Sequence, residues 1–265
     1  MEPDYISINR KAWNDKVDAH VQSEFYNVAG FLNGETSLKH IELELLGDIS
    51  GKRILHLQCH FGQDTISLAR MGAYVTGVDL SDVAIAKAKE LAATTGASAN
   101  FVCCNIYDLA QHISTPFDIV FTSYGTIGWL PDLKAWAALI RQFLKADGKL
   151  IFVEFHPAVW MFDDDFKEIK YNYFNTGIIE ETEEGTYADR DADIHNKTIN
   201  WNHGISEVVQ SLLDNDLSIT GIHEYDHSPW PCFKHMESDG KESFYIKHIG
   251  KKIPMVYAIT AERKV

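Results

Sequence analysis

The chain has 265 residues, 45% of them hydrophobic and 12% aromatic, and a formal net charge of -14. That apolar content suffices for one large α/β domain or two small ones, while the charge argues against a nucleic-acid surface, which needs a basic stripe. No run of about 18 apolar residues occurs, and Met1-Glu2-Pro3-Asp4 lacks the charged start and apolar run of a signal peptide, so a cytoplasmic protein with no membrane partner is expected. Cys59, Cys103, Cys104 and Cys232 show no C-x-x-C spacing, which points to reduced thiols; adjacent Cys103 and Cys104 fall on opposite faces of a strand.

Residues 1–50 read as a helical N-terminal arm. Ile8, Trp13 and Val17 recur at helical intervals within Tyr5 to Val21, and Leu38 to Leu46 is a second periodic run with Gly47 as its C-terminal cap. Trp13, Phe25, Tyr26 and Phe31 either pack this arm over the mouth of a site or belong to the core.

Arg53 to Leu91 reads as one βαβ unit. An apolar strand (Arg53–Leu57) leads through Gln58-Cys59-His60-Phe61-Gly62 into a helix (Gln63–Met71), and a second strand (Tyr74–Val78) ends on Asp79 before Ser81 caps the next helix. In such a unit the first turn offers backbone N–H groups to a ligand, and a carboxylate about 20 residues on accepts ribose hydroxyls. Asp79 stands seventeen positions after Gly62. A dinucleotide or S-adenosylmethionine fits a nucleoside here, but the turn lacks the G-x-G-x-x-G that a pyrophosphate needs.

The alternation continues through Ala99–Cys103, then Asn105 to Leu109, then a strand from Phe117 to Ser123 that opens with Phe117-Asp118. After Trp129-Leu130-Pro131-Asp132, Pro131 is placed at the start of a helix carrying Trp136, Leu139, Ile140 and Phe143. Lys145 to Gly148 is a turn before a fifth strand, Lys149 to Phe155.

These segments, in this order, resemble class I S-adenosylmethionine-dependent methyltransferases, in particular those acting on small molecules. The likeness covers roughly residues 50 to 156 and rests on the strand-to-helix turn, Phe117-Asp118, Trp129 to Asp132 and Leu144 to Gly148. The family's acid-x-Gly-x-Gly-x-Gly motif would fall on His56, Gln58, His60 and Gly62, of which only the last glycine is kept. The resemblance implies a Rossmann-like, seven-stranded, mostly parallel sheet with an antiparallel last strand. It also implies S-adenosylmethionine as cofactor, held by Gln58, Cys59, His60, Gly62, Asp64, Asp79, Leu80, Asn105, Ile106, Ser123 and Tyr124. Asn105 would meet the adenine amino group, Ile106 its ring, and Gly62 would lie where the backbone passes the cofactor's amino-acid part.

From Pro157 to His203 the α/β rhythm breaks. Asp163, Asp164, Asp165, Glu180, Glu181, Glu183 and Glu184 interleave with aromatics, Lys170 to Phe174 alternates as a strand does, and Glu183-Glu184-Gly185 signals a hairpin turn. The segment is therefore expected to be a β-rich lid inserted after the fifth strand. Its acids would favour an amine-bearing acceptor or would merely solvate a surface hairpin. Ser206 then caps a helix (Glu207–Leu213), Leu217 to Tyr225 is a strand, and Ile253 to Ala261 after a long loop is the last. The expected division is thus an arm (1–50), a cofactor-binding core (51–156), a lid (157–203) and a completion of the same α/β domain (204–265).

Methyl transfer needs mainly alignment and exclusion of water, with a base for reluctant nucleophiles. Glu154, His156 and His203 are the candidate catalytic groups, each alternatively a hydrogen-bonded structural residue. His56, inside a strand, reads as a satisfied core histidine. Tyr26, Trp129, Trp160 and Trp201 are candidate substrate contacts. No metal motif occurs, Asp163-Asp164-Asp165 reads as a solvated turn, and no G-x-S-x-G elbow suggests a hydrolase. The expected function is methyl transfer to a small-molecule acceptor by a monomer or homodimer. The alternatives are a catalytically silent nucleotide-binding protein and an NAD-dependent oxidoreductase.

Overall fold

Asp4 accepts a hydrogen bond from the Ser7 N–H (3.1 Å) and so starts helix α1 (Tyr5–Gln22). The structure, a computed structural model, describes residues 4–264. Two short helices follow, α2 (Val28–Leu32) and α3 (His40–Leu46), the latter closed by Gly47 at φ 59°.

The α/β rhythm then runs as β1 (Arg53–Leu57), α4 (Gln63–Arg70), β2 (Tyr74–Asp79), α5 (Asp82–Thr95), β3 (Ala99–Cys103), β4 (Phe117–Ser123), α6 (Leu133–Phe143) and β5 (Leu144–Phe155). After it come the hairpin β6 (Ile179–Glu184) and β7 (His195–Asn200), helix α7 (Ile205–Leu213), strand β8 (Leu217–Tyr225), a second hairpin β9 (Met236–Gly240) and β10 (Ser243–Ile246), and β11 (Val256–Arg263). Seven strands form one sheet in the order β3-β2-β1-β4-β5-β11-β8. The first five are parallel, and β11 lies antiparallel between β5 and β8.

Strand periodicity divides the core between the two faces. Leu55, Val120, Phe152 and Tyr257 pack with Trp136 of α6 and Leu212 of α7 on one side, while Ile54, Phe121, Ile151 and Val153 pack with Ile41 of α3 and Leu68 of α4 on the other. A third cluster joins Ile85 of α5 and Phe101 of β3 to Val17 and Phe31 of the arm. Among the described residues no helix is long and apolar enough to cross a membrane.

Several expected boundaries move. Asp132, not Pro131, caps α6, because its carboxylate accepts from the Ala135 N–H (2.9 Å) and Pro131 has no such acceptor. The fifth strand begins at Leu144, since Phe117 pairs with Leu144 and the expected Lys145–Gly148 turn is absorbed as an irregularity in β5. Helix α7 starts at Ile205 behind Gly204, one residue before Ser206, and the last strand starts at Val256. Lys170 to Phe174 is not a strand, although Phe162 and Ile169 bridge nearby; only β6 and β7 pair in this insertion. Gly185 does begin the turn after β6, but the connection runs to 194, held by Gly185 N–H to Ile194 O (2.9 Å). The loop expected between β8 and β11 contains the β9–β10 hairpin.

Candidate active site

The carboxyl ends of β1, β2, β4 and β5 open into one cavity of about 1000 Å³, the place where open α/β sheets bind ligands. Asp79 ends β2 here. Its Oδ2 accepts from the His60 N–H (2.7 Å) and its Oδ1 from the Ser81 N–H (2.8 Å). Burial pushes its carboxyl up to about 6 against those backbone donors.

The turn after β1 departs from the glycine pattern in side chain but not in backbone. Gln58 (φ 54°), His60 (φ 49°) and Gly62 (φ 81°) all hold the left-handed conformation, at a cost of roughly 1–2 kcal/mol for each non-glycine residue. Gln58 donates from Nε2 to Thr126 O (2.8 Å), and His60 Nε2 meets His20 Nδ1 (2.8 Å). Buried Gln58 Oε1 and His60 Nδ1 find no hydrogen-bond partner among the described residues. Buried polar atoms without a partner are costly, and both belong to side chains in the cavity lining, so this loop fits a polar cofactor. Gly62 also answers a need of the fold itself. A Cβ there would lie 2.8 Å from both Ala88 Cβ and Phe101 Cε1, so its missing side chain makes room for α5 and β3.

Every candidate cofactor residue lines the cavity, as do Tyr26, Trp129, Trp160 and Trp201. Asn105 also caps the turn at residues 106–111 by accepting from the Tyr107 N–H (3.2 Å). The three candidate bases are placed differently. Glu154, 1% exposed, accepts from the N–H groups of Gly125, Thr126, Ile127 and Phe155 and from the Thr126 hydroxyl, so it shapes the loop after β4. His156 lies outside the cavity lining, with Nε2 on Glu224 (2.9 Å) and Nδ1 accepting from Ala158 N–H (3.1 Å). His203 lines the cavity but meets Leu130 O through Nε2 (2.8 Å) and lies 3.1 Å from Glu207 through Nδ1. Buried His56 meets the Thr65 hydroxyl (2.8 Å), and burial holds it down at about 4.

Two covers flank the cavity. Helix α1 and the β6–β7 hairpin form one: Asn9 exchanges two hydrogen bonds with the Ile199 backbone (2.7 and 2.9 Å), Lys16 pairs with Glu183, and the hydroxyls of Tyr26 and Tyr187 are bonded. Trp13 of this cover stands edge-on to Trp129 (5.3 Å) and His60 (5.2 Å). The other is an aromatic wall in which Tyr124 meets Trp230 (4.4 Å) and Phe155 meets Trp160 (5.7 Å) and Phe233 (5.2 Å). Lys16, Trp230 and Phe233 were not legible as site residues, because each reaches the cavity from a segment with no motif of its own.

Fold and cavity together define an α/β domain whose sheet opens at its carboxyl edge into one ligand-sized cavity. Residues 54–148 match the family described as "Methyltransferase domain", so the chain carries a methyltransferase domain over that stretch. It is 24% identical to the uncharacterized methyltransferase YbaJ of Bacillus subtilis over 83% of this chain and 90% of that protein. It is 33% identical to the ubiquinone biosynthesis O-methyltransferase of Idiomarina loihiensis over 38% of this chain, spanning only 42% of that enzyme. In structure it is similar to a putative S-adenosylmethionine-dependent methyltransferase from Listeria monocytogenes, with a TM-score of 0.63 and 23% identity over 85% of this chain and 96% of that one.

Proposed function

We propose that the protein transfers the methyl group of S-adenosylmethionine to a small-molecule acceptor enclosed between its two covers. The supporting observation is the pairing of Asp79 with the left-handed turn of Gln58, His60 and Gly62 at the mouth of β1 and β2. The cofactor, when bound, supplies a methyl already activated by its sulfonium. Asp79 would grip the ribose, Asn105 and Ile106 the adenine, and Gln58 Oε1 and His60 Nδ1 the polar groups nearby. Glu154 would hold the loop after β4 in place, and the covers would keep out water, which is what an in-line displacement asks of the protein. A cavity of about 1000 Å³ with several aromatic side chains in its lining favours a small acceptor over a macromolecule.

The test is calorimetry and thermal melting with S-adenosylhomocysteine and with NAD. S-adenosylhomocysteine at 100 times its dissociation constant should add about 2.7 kcal/mol of stability, NAD should add none, and Asp79→Ala should abolish the gain. Unchanged affinity in Asp79→Ala would remove the nucleoside assignment.

A further inference from the structure

Tyr124 stands where β4 enters the cavity, and its backbone is held at φ 25° with its N–H donating to Val153 O (2.7 Å). A tyrosine in left-handed backbone marks a position that the surroundings enforce. Its ring lies between Phe155 (5.6 Å) and Trp230 (4.4 Å), on the cavity wall. Its hydroxyl donates to Glu42 Oε2 (2.8 Å).

Glu42 comes from α3 and is fully buried; its other oxygen accepts from the Lys39 N–H (3.2 Å). Among the described residues no cation is paired with this carboxyl. The Lys39 ammonium turns instead to Glu242 (3.6 Å), 5.7 Å from the Trp230 ring centroid. The other carboxylate facing the pair is Asp64 in the first turn of α4, 3.4 Å from the Ser123 hydroxyl, and Tyr225 of β8 is the remaining titratable neighbour of Tyr124. Burial, and then the Asp64 charge, push Glu42 up to about 7. One oxygen of Glu42 thus closes the capping box of α3, and the other is held by the hydroxyl of Tyr124, whose ring lines the cavity, with no cation among the described residues to balance the buried charge.

We propose that Tyr124, backed by Glu42, receives the acceptor's nucleophile and that this nucleophile is an amine. The inference rests on the methyltransferase reading and names its substrate class. After donating to Glu42, the Tyr124 oxygen retains acceptor capacity for an ammonium N–H. The charges of Glu42 and Asp64 attract the cation, and the faces of Tyr124, Phe155 and Trp230 suit it. An ammonium is no nucleophile until it loses a proton. That proton passes from nitrogen to the Tyr124 oxygen while the Tyr124 proton passes to Glu42 Oε2, which leaves a neutral amine with its lone pair exposed and a protonated Glu42. Tyr124 is then the catalytic residue and Glu42 the positioning residue behind it.

The test uses the whole chain, with and without saturating S-adenosylhomocysteine, titrated calorimetrically with 2-phenylethylamine, 2-phenylethanol and ethylbenzene. With an unshifted pKa near that of lysine the amine stays protonated between pH 6 and 8, so any change in its affinity belongs to the protein. It should bind about tenfold more tightly than the alcohol at pH 8 and less than threefold more tightly at pH 6, as Glu42 takes up a proton. Glu42→Gln should flatten that dependence, and Tyr124→Phe should bring all three probes to similar affinity. Equal binding of the three probes to the unmodified protein would overturn the proposal. So would an amine preference that survives both substitutions, or no binding of any probe to a protein that binds S-adenosylhomocysteine. An amine site in a protein that fails to bind S-adenosylhomocysteine would instead sink the methyltransferase reading alone.

Discussion

Lys16 of α1, 3% exposed, forms an ion pair with Glu183 of β6 across the roof of the cavity. The ammonium also lies over the Trp13 and Trp129 rings, at 5.0 and 5.8 Å. The N-terminal arm and the insertion are therefore tied together over the cavity, where the sequence presented the insertion as the lid and left the arm's aromatics as either a cover of the mouth or core. Glu183→Gln leaves a buried cation without its counter-charge. The cost should be about 2 kcal/mol, between an exposed and a fully buried pair, because Glu183 keeps some solvent. Hydrogen exchange should rise together in Tyr5–Gln22 and Ile179–Asn200, and S-adenosylhomocysteine should protect both. Loosening of the hairpin alone would show that the arm is independent.

Gly62→Val is expected to damage the fold as well as the site. The left-handed backbone disfavours any β-branched residue, and the new Cβ would press on Ala88 and Phe101. A loss of roughly 2–4 kcal/mol in urea unfolding is expected from strain plus overpacking. If stability is unchanged and only cofactor binding falls, the turn faces the ligand after all.

His56 supplies a pH-dependent term. Its folded-state value, held down near 4 by burial, lies below its ordinary 6.5. The stability it contributes is therefore present above pH 6.5 and is lost as pH falls toward 4, because the unfolded chain takes up the proton first. His56→Leu removes this term and leaves the Thr65 hydroxyl without its partner. The variant should be less stable than the parent at pH 7, and about 2 kcal/mol of that deficit should disappear by pH 5. A deficit that stays constant between the two pH values in denaturant titrations would show that His56 does not stay neutral in the fold.

What the sequence determined by itself is the part of the protein made by neighbours in the chain. Apolar alternation specifies β1, β2 and β4, helical spacing specifies α1 and α6, and the position of Asp79 follows from its place at the end of one strand; all of these are local consequences of backbone period and sterics. Even the turn after β1 was legible as a turn, although not that Gln58 and His60 would hold glycine-like backbone, since only the surrounding contacts compel it. Tertiary structure decided which polar groups face the cavity. His156 is drawn away to Glu224, 68 positions on, and Lys16 finds Glu183 at a separation of 167. Glu42, in an arm without any motif, is brought beneath Tyr124, 82 positions later. A carboxylate or imidazole is set by the partner that desolvation forces it to find, and no periodicity along the chain records which distant segment will supply that partner.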